Sequence, residues 1–265
     1  MKKLVLIALV AALAAGTAYA TLGQIVASWR APADYPLCLA RAPNPAYMWL
    51  WCNRAPYTIY RVHSDTGTVY ASYVHPAAGN YVRGLTFSYG SSAPYSGSYL
   101  WVGSYSTDRV YMSNYTTGSV YMSYSVASDP YGMAVEATAD GGRAPTAMLT
   151  SDSSPAYVWR RRLTTGSILS SIGVTGTYDI AYDWRNKLVW HRSGTTIIGR
   201  NLTSGSIEAS FTSPAGPALA FTYYGQYLWI GTTSGYHRIY KVHCPIIPGV
   251  AVVPTSVGKV KALFK

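Results

Sequence analysis

Gly23-Gln24-Ile25-Val26-Ala27-Ser28-Trp29 is the stretch that decides the fold, because four later stretches repeat its pattern. The pattern is glycine, a small polar residue, a β-branched aliphatic residue, two variable residues, serine and a large apolar residue. The other copies are Gly67 to Tyr73, Gly118 to Tyr124, Gly166 to Ile172 and Gly205 to Phe211. Successive copies start 44, 51, 48 and 39 residues apart. This spacing indicates a propeller of four-stranded blades.

Three shorter strand patterns recur between copies of this phrase. The first alternates apolar residues, as in Gly84-Leu85-Thr86-Phe87, and the second usually centres on tryptophan, as in Leu100-Trp101-Val102-Gly103. The third resembles Ile239-Tyr240-Lys241-Val242, and a polar turn then leads into the next copy of the phrase. Enrichment in β-branched and aromatic residues with scattered glycine and proline argues against helices. We therefore predict an all-β chain with four antiparallel strands in each blade.

The two ends of the repeat region predict how the ring closes. The last blade has only three strands before Cys244, whereas the chain begins with an unpartnered fourth-strand phrase at Gly23 to Trp29. We expect this N-terminal strand to complete the fifth blade, which removes two exposed sheet edges. A six-bladed ring would need a further blade for which the chain has no residues. The prediction is a five-bladed β-propeller over residues 21–244.

Residues outside the repeats indicate export. Lys2 and Lys3 precede an apolar run and the small-x-small site Ala18-Tyr19-Ala20, which is typical of a cleaved secretory signal over residues 1–20. The apolar run is shorter than the roughly 17 to 25 residues that a spanning helix needs. We expect a secreted or cell-surface protein with no transmembrane segment in the mature chain. Residues 245–265 form a proline-punctuated tail whose lysine-bearing end resembles short sorting or attachment tails of exported bacterial proteins.

The strand motifs resemble a known group of proteins. Gly84-Leu85-Thr86-Phe87, Leu100-Trp101-Val102-Gly103 and Ile239-Tyr240-Lys241-Val242 are similar to the secreted bacterial β-propeller repeats of the NHL, YVTN and glutaminyl cyclotransferase-like class. The resemblance covers roughly residues 22 to 243. It implies a propeller but no particular activity, because the matching residues are those that build blades.

The charge of the chain restricts its partners. Removing Lys2 and Lys3 lowers the formal charge from +11 to about +9, which favours an acidic glycan or cell-envelope component. Nucleic acid is not expected, since the basic residues are dispersed and no recognition motif accompanies them. The 25 tyrosines also suit a contact surface for carbohydrate or a protein partner.

The central channel mouth is the expected ligand site. Aspartates, an arginine and tyrosines fall at or just before the starts of the predicted inner strands, where they would converge on one rim. They could bind a sugar or a cation, although an aspartate also commonly caps its own turn. The candidate residues are Asp34, Asp129, Asp179, Arg83, Tyr81, Tyr131 and Tyr178.

The sequence gives little sign of catalysis. Asp179 and Asp183 share a predicted strand face but would lie roughly 13 Å apart, beyond the separation of paired glycosidase carboxylates. We assign no catalytic residue, no metal site and no cofactor. The leading hypothesis is a non-catalytic interaction propeller that binds glycan, envelope or protein partners. The alternatives are a hydrolase or lyase acting at the channel mouth and a structural subunit of an extracellular assembly.

The three cysteines leave at least one thiol unpaired. The repeat pattern places Cys38 at the position of Leu85, Met133, Ile180 and Leu219, so we expect Cys38 to be a small core residue. Cys38 and Cys52 fall on adjacent strands and are the pair that a disulfide would join, if one forms.

Overall fold

The computed structural model describes residues 22–42, 47–53, 57–76, 81–90, 97–126, 129–136, 145–152, 157–176, 179–214, 216–233 and 237–244. The predicted signal over residues 1–20 and the tail over residues 245–265 lie outside the described residues. All regular elements within the described ranges are strands. In chain order they are β1 (Ile25–Arg30), β2 (Pro36–Arg41), β3 (Tyr47–Cys52), β4 (Ile59–His63), β5 (Val69–Tyr73), β6 (Val82–Gly90), β7 (Gly97–Ser104), β8 (Arg109–Asn114), β9 (Val120–Ser125), β10 (Gly132–Val135), β11 (Ala147–Ser151), β12 (Tyr157–Arg162), β13 (Ile168–Gly173), β14 (Ala181–Asp183), β15 (Leu188–Ser193), β16 (Thr196–Asn201), β17 (Ile207–Thr212), β18 (Ala218–Tyr224), β19 (Tyr227–Thr232) and β20 (Arg238–His243).

These strands form five sheets of four antiparallel strands. Blades one to four are β2–β5, β6–β9, β10–β13 and β14–β17, and blade five is β18–β20 completed by β1. β1 pairs with β20 along its length, and the Gly23 amide donates to the His243 carbonyl at 2.8 Å. The predicted closure by the N-terminal strand is therefore confirmed. The chain is a five-bladed β-propeller.

Each blade has the same orientation around the axis. Strands β2, β6, β10, β14 and β18 are innermost and contact one another in a ring. We define the mouth face as the side where these inner strands begin and the base face as the side where they end. Because neighbouring strands are antiparallel, the loops between second and third strands also lie at the mouth face. The turns between third and fourth strands lie at the base face, where Cys244 follows β20.

The repeated phrase interlocks neighbouring blades. Its first residue is a glycine with positive φ in every copy, from +71° to +80°. A Cβ atom on Gly118 would lie 2.7 Å from Tyr73 Cε2, and one on Gly23 would lie 2.6 Å from Phe211 Cδ2. Tyr73 and Phe211 are the seventh residues of the phrase in the preceding blades. In four of the five copies the last residue of one phrase thus packs on the glycine of the next, and Gly205 is the exception.

Buried tryptophans fill the spaces between sheets. Trp49, Trp101, Trp190 and Trp229 occupy the same position in the second strand of four blades, and each is almost fully buried. Leu149 takes this position in blade three. Large aromatic side chains bury much apolar area each, so this ring of equivalent residues supplies a large share of the core.

Candidate functional site

The propeller axis is occupied by Asp179, which is fully buried just before β14. Its Oδ1 accepts a hydrogen bond from the Ile180 amide at 2.9 Å, and its Oδ2 accepts one from the Phe221 amide at 2.8 Å. The backbone amides of Leu39 and Met133 also donate to this carboxylate. One side chain therefore binds the backbone of three inner strands, β2, β10 and β18, and of the residue immediately before β14.

The strand register explains why an aspartate fits on the axis. The residues that match Asp179 in the other blades are all small: Cys38, Gly84, Gly132 and Ala220. A Cβ on Gly132 would lie 2.6 Å from the Asp179 Cα and 2.7 Å from the Ile180 nitrogen, so a larger residue there would collide with the backbone that carries the aspartate. Burial raises the pKa of Asp179 well above its usual value, and the backbone donors act against that increase.

This register differs from the one that the repeat pattern predicts for Cys38 and Leu219. Cys38 matches Asp179 rather than Ile180, and the residues level with Ile180 are Leu39, Leu85, Met133 and Phe221. The pairing of the inner with the second strand shifts by one residue near the starts of β2, β6 and β18 but not in the described parts of β10 and β14, so spacing along the chain does not give the register. Leu219 is skipped in the pairing of β18 with β19. The expectation that Cys38 is buried is confirmed.

Arg83 lies within a cluster of tyrosines at the mouth face. Its guanidinium carbon is 5.9 Å from the centre of the Tyr105 ring and 5.6 Å from that of Tyr131. The two rings meet edge to face with centres 5.7 Å apart. The Tyr105 amide donates to the Tyr81 carbonyl at 2.9 Å, which ties the loop before β6 to the loop after β7. The structure therefore brings Tyr81, Arg83 and Tyr131 together, and sequence reasoning missed Tyr105.

A group of carboxyls also lies at the mouth face, on blades two and three. Asp129 precedes β10 and forms a side-chain hydrogen bond with Asp108 of the β7–β8 loop. Burial, this hydrogen bond and the charges of Asp108 and Asp152 raise the pKa of Asp129 to about 6. Asp108 and Asp152 were missed because they follow second strands, whereas the prediction considered only the approaches to inner strands. The loops before inner strands and the loops after second strands both lie at the mouth face. This alternation of strand direction is the signal that could have predicted Asp108 and Asp152.

The remaining candidate residues lie elsewhere. Asp34 precedes β2, and its Oδ1 is 3.5 Å from Nε2 of His237, which belongs to the loop before β20. Asp179 lies in the interior rather than on the open rim, because its side chain faces the backbone of the inner strands. Tyr178 lies outside the described residues. Whether any of these residues binds a ligand stays a prediction.

The metal-ligating side chains and the cysteines are the groups that could form a metal site or a reactive thiol. Within those ranges no three His, Cys, Asp or Glu side chains are grouped closely enough to hold a metal ion. Burial raises the pKa of the Cys52 thiol to about 12 and that of Cys38 well above its usual value, which disfavours the reactive thiolate. The structure shows all three cysteines buried and free: Cys38, Cys52 and Cys244.

No helix in the described part of the chain is long and apolar enough to cross a membrane.

The comparisons with known proteins identify the fold. A scan of protein-family models gives no match to this chain, and a search of curated proteins gives none either. Among solved structures, Myxococcus xanthus glutaminyl cyclase is similar with a TM-score of 0.59 and 9% identity, over 83% of this chain and 95% of that chain. The β-propeller domain of Myceliophteria thermophila Cps50 (Swd1) is similar with a TM-score of 0.51 and 10% identity, over 84% of this chain and 100% of that domain. At such low identities the similarity shows the propeller fold alone.

Proposed function

We propose that this chain is an exported, non-catalytic recognition propeller whose mouth face binds an acidic glycan of the cell envelope. The observation that carries the proposal is the position of Arg83 beside the paired rings of Tyr105 and Tyr131 at that face. Aromatic rings stack on sugar faces, and a guanidinium forms paired hydrogen bonds with a carboxylate or sulfate. A uronate-bearing glycan presents both groups on one unit.

The filled axis favours binding at the surface rather than within a channel. Asp179 binds backbone amides of β2, β10 and β18, so a ligand reaching that depth would have to displace these bonds. The formal charge of about +9 on the mature chain supports an anionic partner. The signal-like residues 1–20 support export.

The test is a binding screen with the chain that starts at Thr21, using uronate polysaccharides and a neutral polysaccharide for comparison. Arg83→Ala is expected to weaken binding of the acidic polysaccharide by at least about tenfold, since charge-assisted hydrogen bonds are worth about 1.5–3 kcal/mol. Arg83→Lys keeps the charge but loses the paired hydrogen bonds, so its affinity should lie between those of the parent and of Arg83→Ala. Tyr105→Ala provides a second variant, because this side chain is exposed at the same cluster.

Arg185→Ala is the matched control. Arg185 also stacks on an aromatic ring, with its guanidinium carbon 5.0 Å from the centre of the Trp184 ring, but it lies at the base face. Equal losses for Arg83→Ala and Arg185→Ala would overturn the assignment of the mouth face. Equal affinity for acidic and neutral polysaccharides would overturn the acidic glycan. The mass of the exported chain tests the signal, and a protein that retains residues 1–20 contradicts cleavage.

A hydrolase or lyase is a second candidate, favoured by one observation. A carboxyl with a pKa of about 6, as at Asp129, is partly protonated near neutral pH and suits a general acid. Release of new reducing ends or unsaturated sugars from a bound polysaccharide, abolished by Asp129→Asn, would support this candidate. Binding without any such product supports the non-catalytic reading.

A further inference from the structure

Exposed apolar side chains are unevenly distributed between the two faces. Among the described residues, fifteen large apolar side chains are exposed, and only Tyr35, Val74, Tyr81 and Tyr105 lie towards the mouth face. The other eleven lie at the base-face ends of their strands. They are Ile25, Val26, Val69, Tyr70, Tyr89, Val120, Tyr121, Ile168, Leu169, Ile207 and Tyr224.

Nine of these eleven form a ring that we call the knob ring. They are the third and fourth residues of the repeated phrase: Ile25, Val26, Val69, Tyr70, Val120, Tyr121, Ile168, Leu169 and Ile207. Their exposed fractions run from 39 to 57%. Equivalent positions in a closed ring of similar blades lie at one level along the axis. The knob ring therefore presents apolar groups at the same height around the whole base-side margin.

A bulge pushes the fourth residue of each phrase outward. The pairing of the third and fourth strands shifts by one residue in all five blades, and the residue skipped is Val26, Tyr70, Tyr121, Leu169 or Glu208. A bulge bends an edge strand and hinders pairing with a further strand. The knob ring is consequently suited to contact through side chains rather than to the addition of a strand.

Positive charge accompanies the knob ring. Arg162, Arg185 and Lys187 are exposed at the base face. Among the described residues, the exposed acids at this face are Asp65, whose Oδ1 is 2.8 Å from Lys241 Nζ, and Glu208. Residues 245–265, which follow Cys244 in the chain, contain three lysines and no acid. The described part of the base face therefore combines an apolar margin with an excess of exposed cations.

We propose that the base face docks on an anionic lipid surface, with the knob ring reaching into the headgroup region and the cations on the lipid phosphates. Aliphatic and tyrosine side chains beside lysine and arginine are the chemistry of peripheral membrane binding. A second copy fits less well, because a two-fold interface would place the cations of one base face against those of the other. This inference does not depend on glycan binding at the mouth face.

The experiment measures partition of the chain from Thr21 to Lys265 onto phosphatidylcholine vesicles with and without phosphatidylglycerol. That chain contains the whole closed ring from Leu22 to Cys244. Binding is expected only with phosphatidylglycerol and should weaken as salt rises, because exposed charges are screened. Val26→Ser with Leu169→Ser should lower the partition coefficient by about tenfold, since two apolar side chains leave the lipid.

Matched variants test the face. Val74→Ser removes an aliphatic side chain of similar exposure, 47% against 49% for Val26, from the mouth side and should leave partition unchanged. Arg162→Gln with Arg185→Gln should weaken binding, whereas Arg30→Gln at the mouth end of β1 should not. Ending the chain at Cys244 should weaken binding further. These positions are exposed, and unfolding curves would verify that each variant folds.

Three results would overturn the proposal. The first is a parent chain that does not bind the anionic vesicles. The second is a pair of knob variants that bind as the parent does. The third is a dimer in solution that the knob variants dissociate, because that would assign the ring to contact between copies.

Discussion

Gly118 and Gly205 allow the interlocking of blades to be tested against backbone strain alone. Both begin the repeated phrase, with φ of +75° and +73°. Both amides donate to an asparagine carbonyl four residues earlier, Gly118 to Asn114 at 2.9 Å and Gly205 to Asn201 at 2.8 Å. Alanine at either site meets the same left-handed backbone, which costs about 1 kcal/mol and is partly offset by a less flexible unfolded chain.

The two sites differ in what a new methyl group would touch. A Cβ on Gly118 would lie 2.7 Å from Tyr73 Cε2, 2.9 Å from Cδ2 and 3.2 Å from Pro76 Cδ, so it meets the side of a large ring. In the described part of the chain, nothing lies within 4 Å of the corresponding position on Gly205. Overpacking of this kind costs about 1–3 kcal/mol. Gly118→Ala should therefore lose that much more stability than Gly205→Ala.

Denaturant unfolding of the two variants and the parent measures the difference. In a domain of this size each 1 kcal/mol also lowers the melting temperature by roughly 2–4 °C. Equal losses at the two sites would refute the reasoning, because they would show that strain in the turn, and not contact with Tyr73, sets the requirement for glycine.

Two further predictions concern buried and partly buried carboxyls. Asp179→Asn should lower the free energy of unfolding by about 2–4 kcal/mol, because one acceptor becomes an amide donor that faces backbone donors. As a control, replacement of the exposed Asp65 by Asn should change the free energy of unfolding by less than about 1 kcal/mol in the same assay. An Asp179→Asn variant as stable as the parent would disprove the axial role. At Asp129 the folded pKa of about 6 lies above the ordinary 3.8, so the folded state holds a proton more tightly. Protonation of Asp129 therefore contributes to the free energy of unfolding at acid pH, and this contribution is lost as the pH rises through about 6. Asp129→Asn should remove this dependence of the free energy of unfolding on pH. Identical pH profiles of stability for the parent and the variant would contradict the prediction.

The architecture follows from the sequence because each blade is built from local patterns. The phrase at Gly23 to Trp29 fixes a turn glycine and an outer strand, and its position ahead of an incomplete last blade predicts that β1 pairs with β20. Strand period and turn chemistry act over a few residues, so the chain reveals them without coordinates.

Only the tertiary structure decided which candidate residues lie at the mouth face and which lie in the interior. Asp129 and Asp179 both precede inner strands, yet Asp179 is buried on the axis and Asp129 shares a hydrogen bond with Asp108 at the mouth face. Bulges near the starts of inner strands shift the register by a residue, and the repeat pattern does not mark them. Which side chain reaches the axis depends on small residues in other blades, such as Gly132, that come together only when the ring closes. The repeat therefore determines the blades, and contacts across blades determine the role of each aspartate.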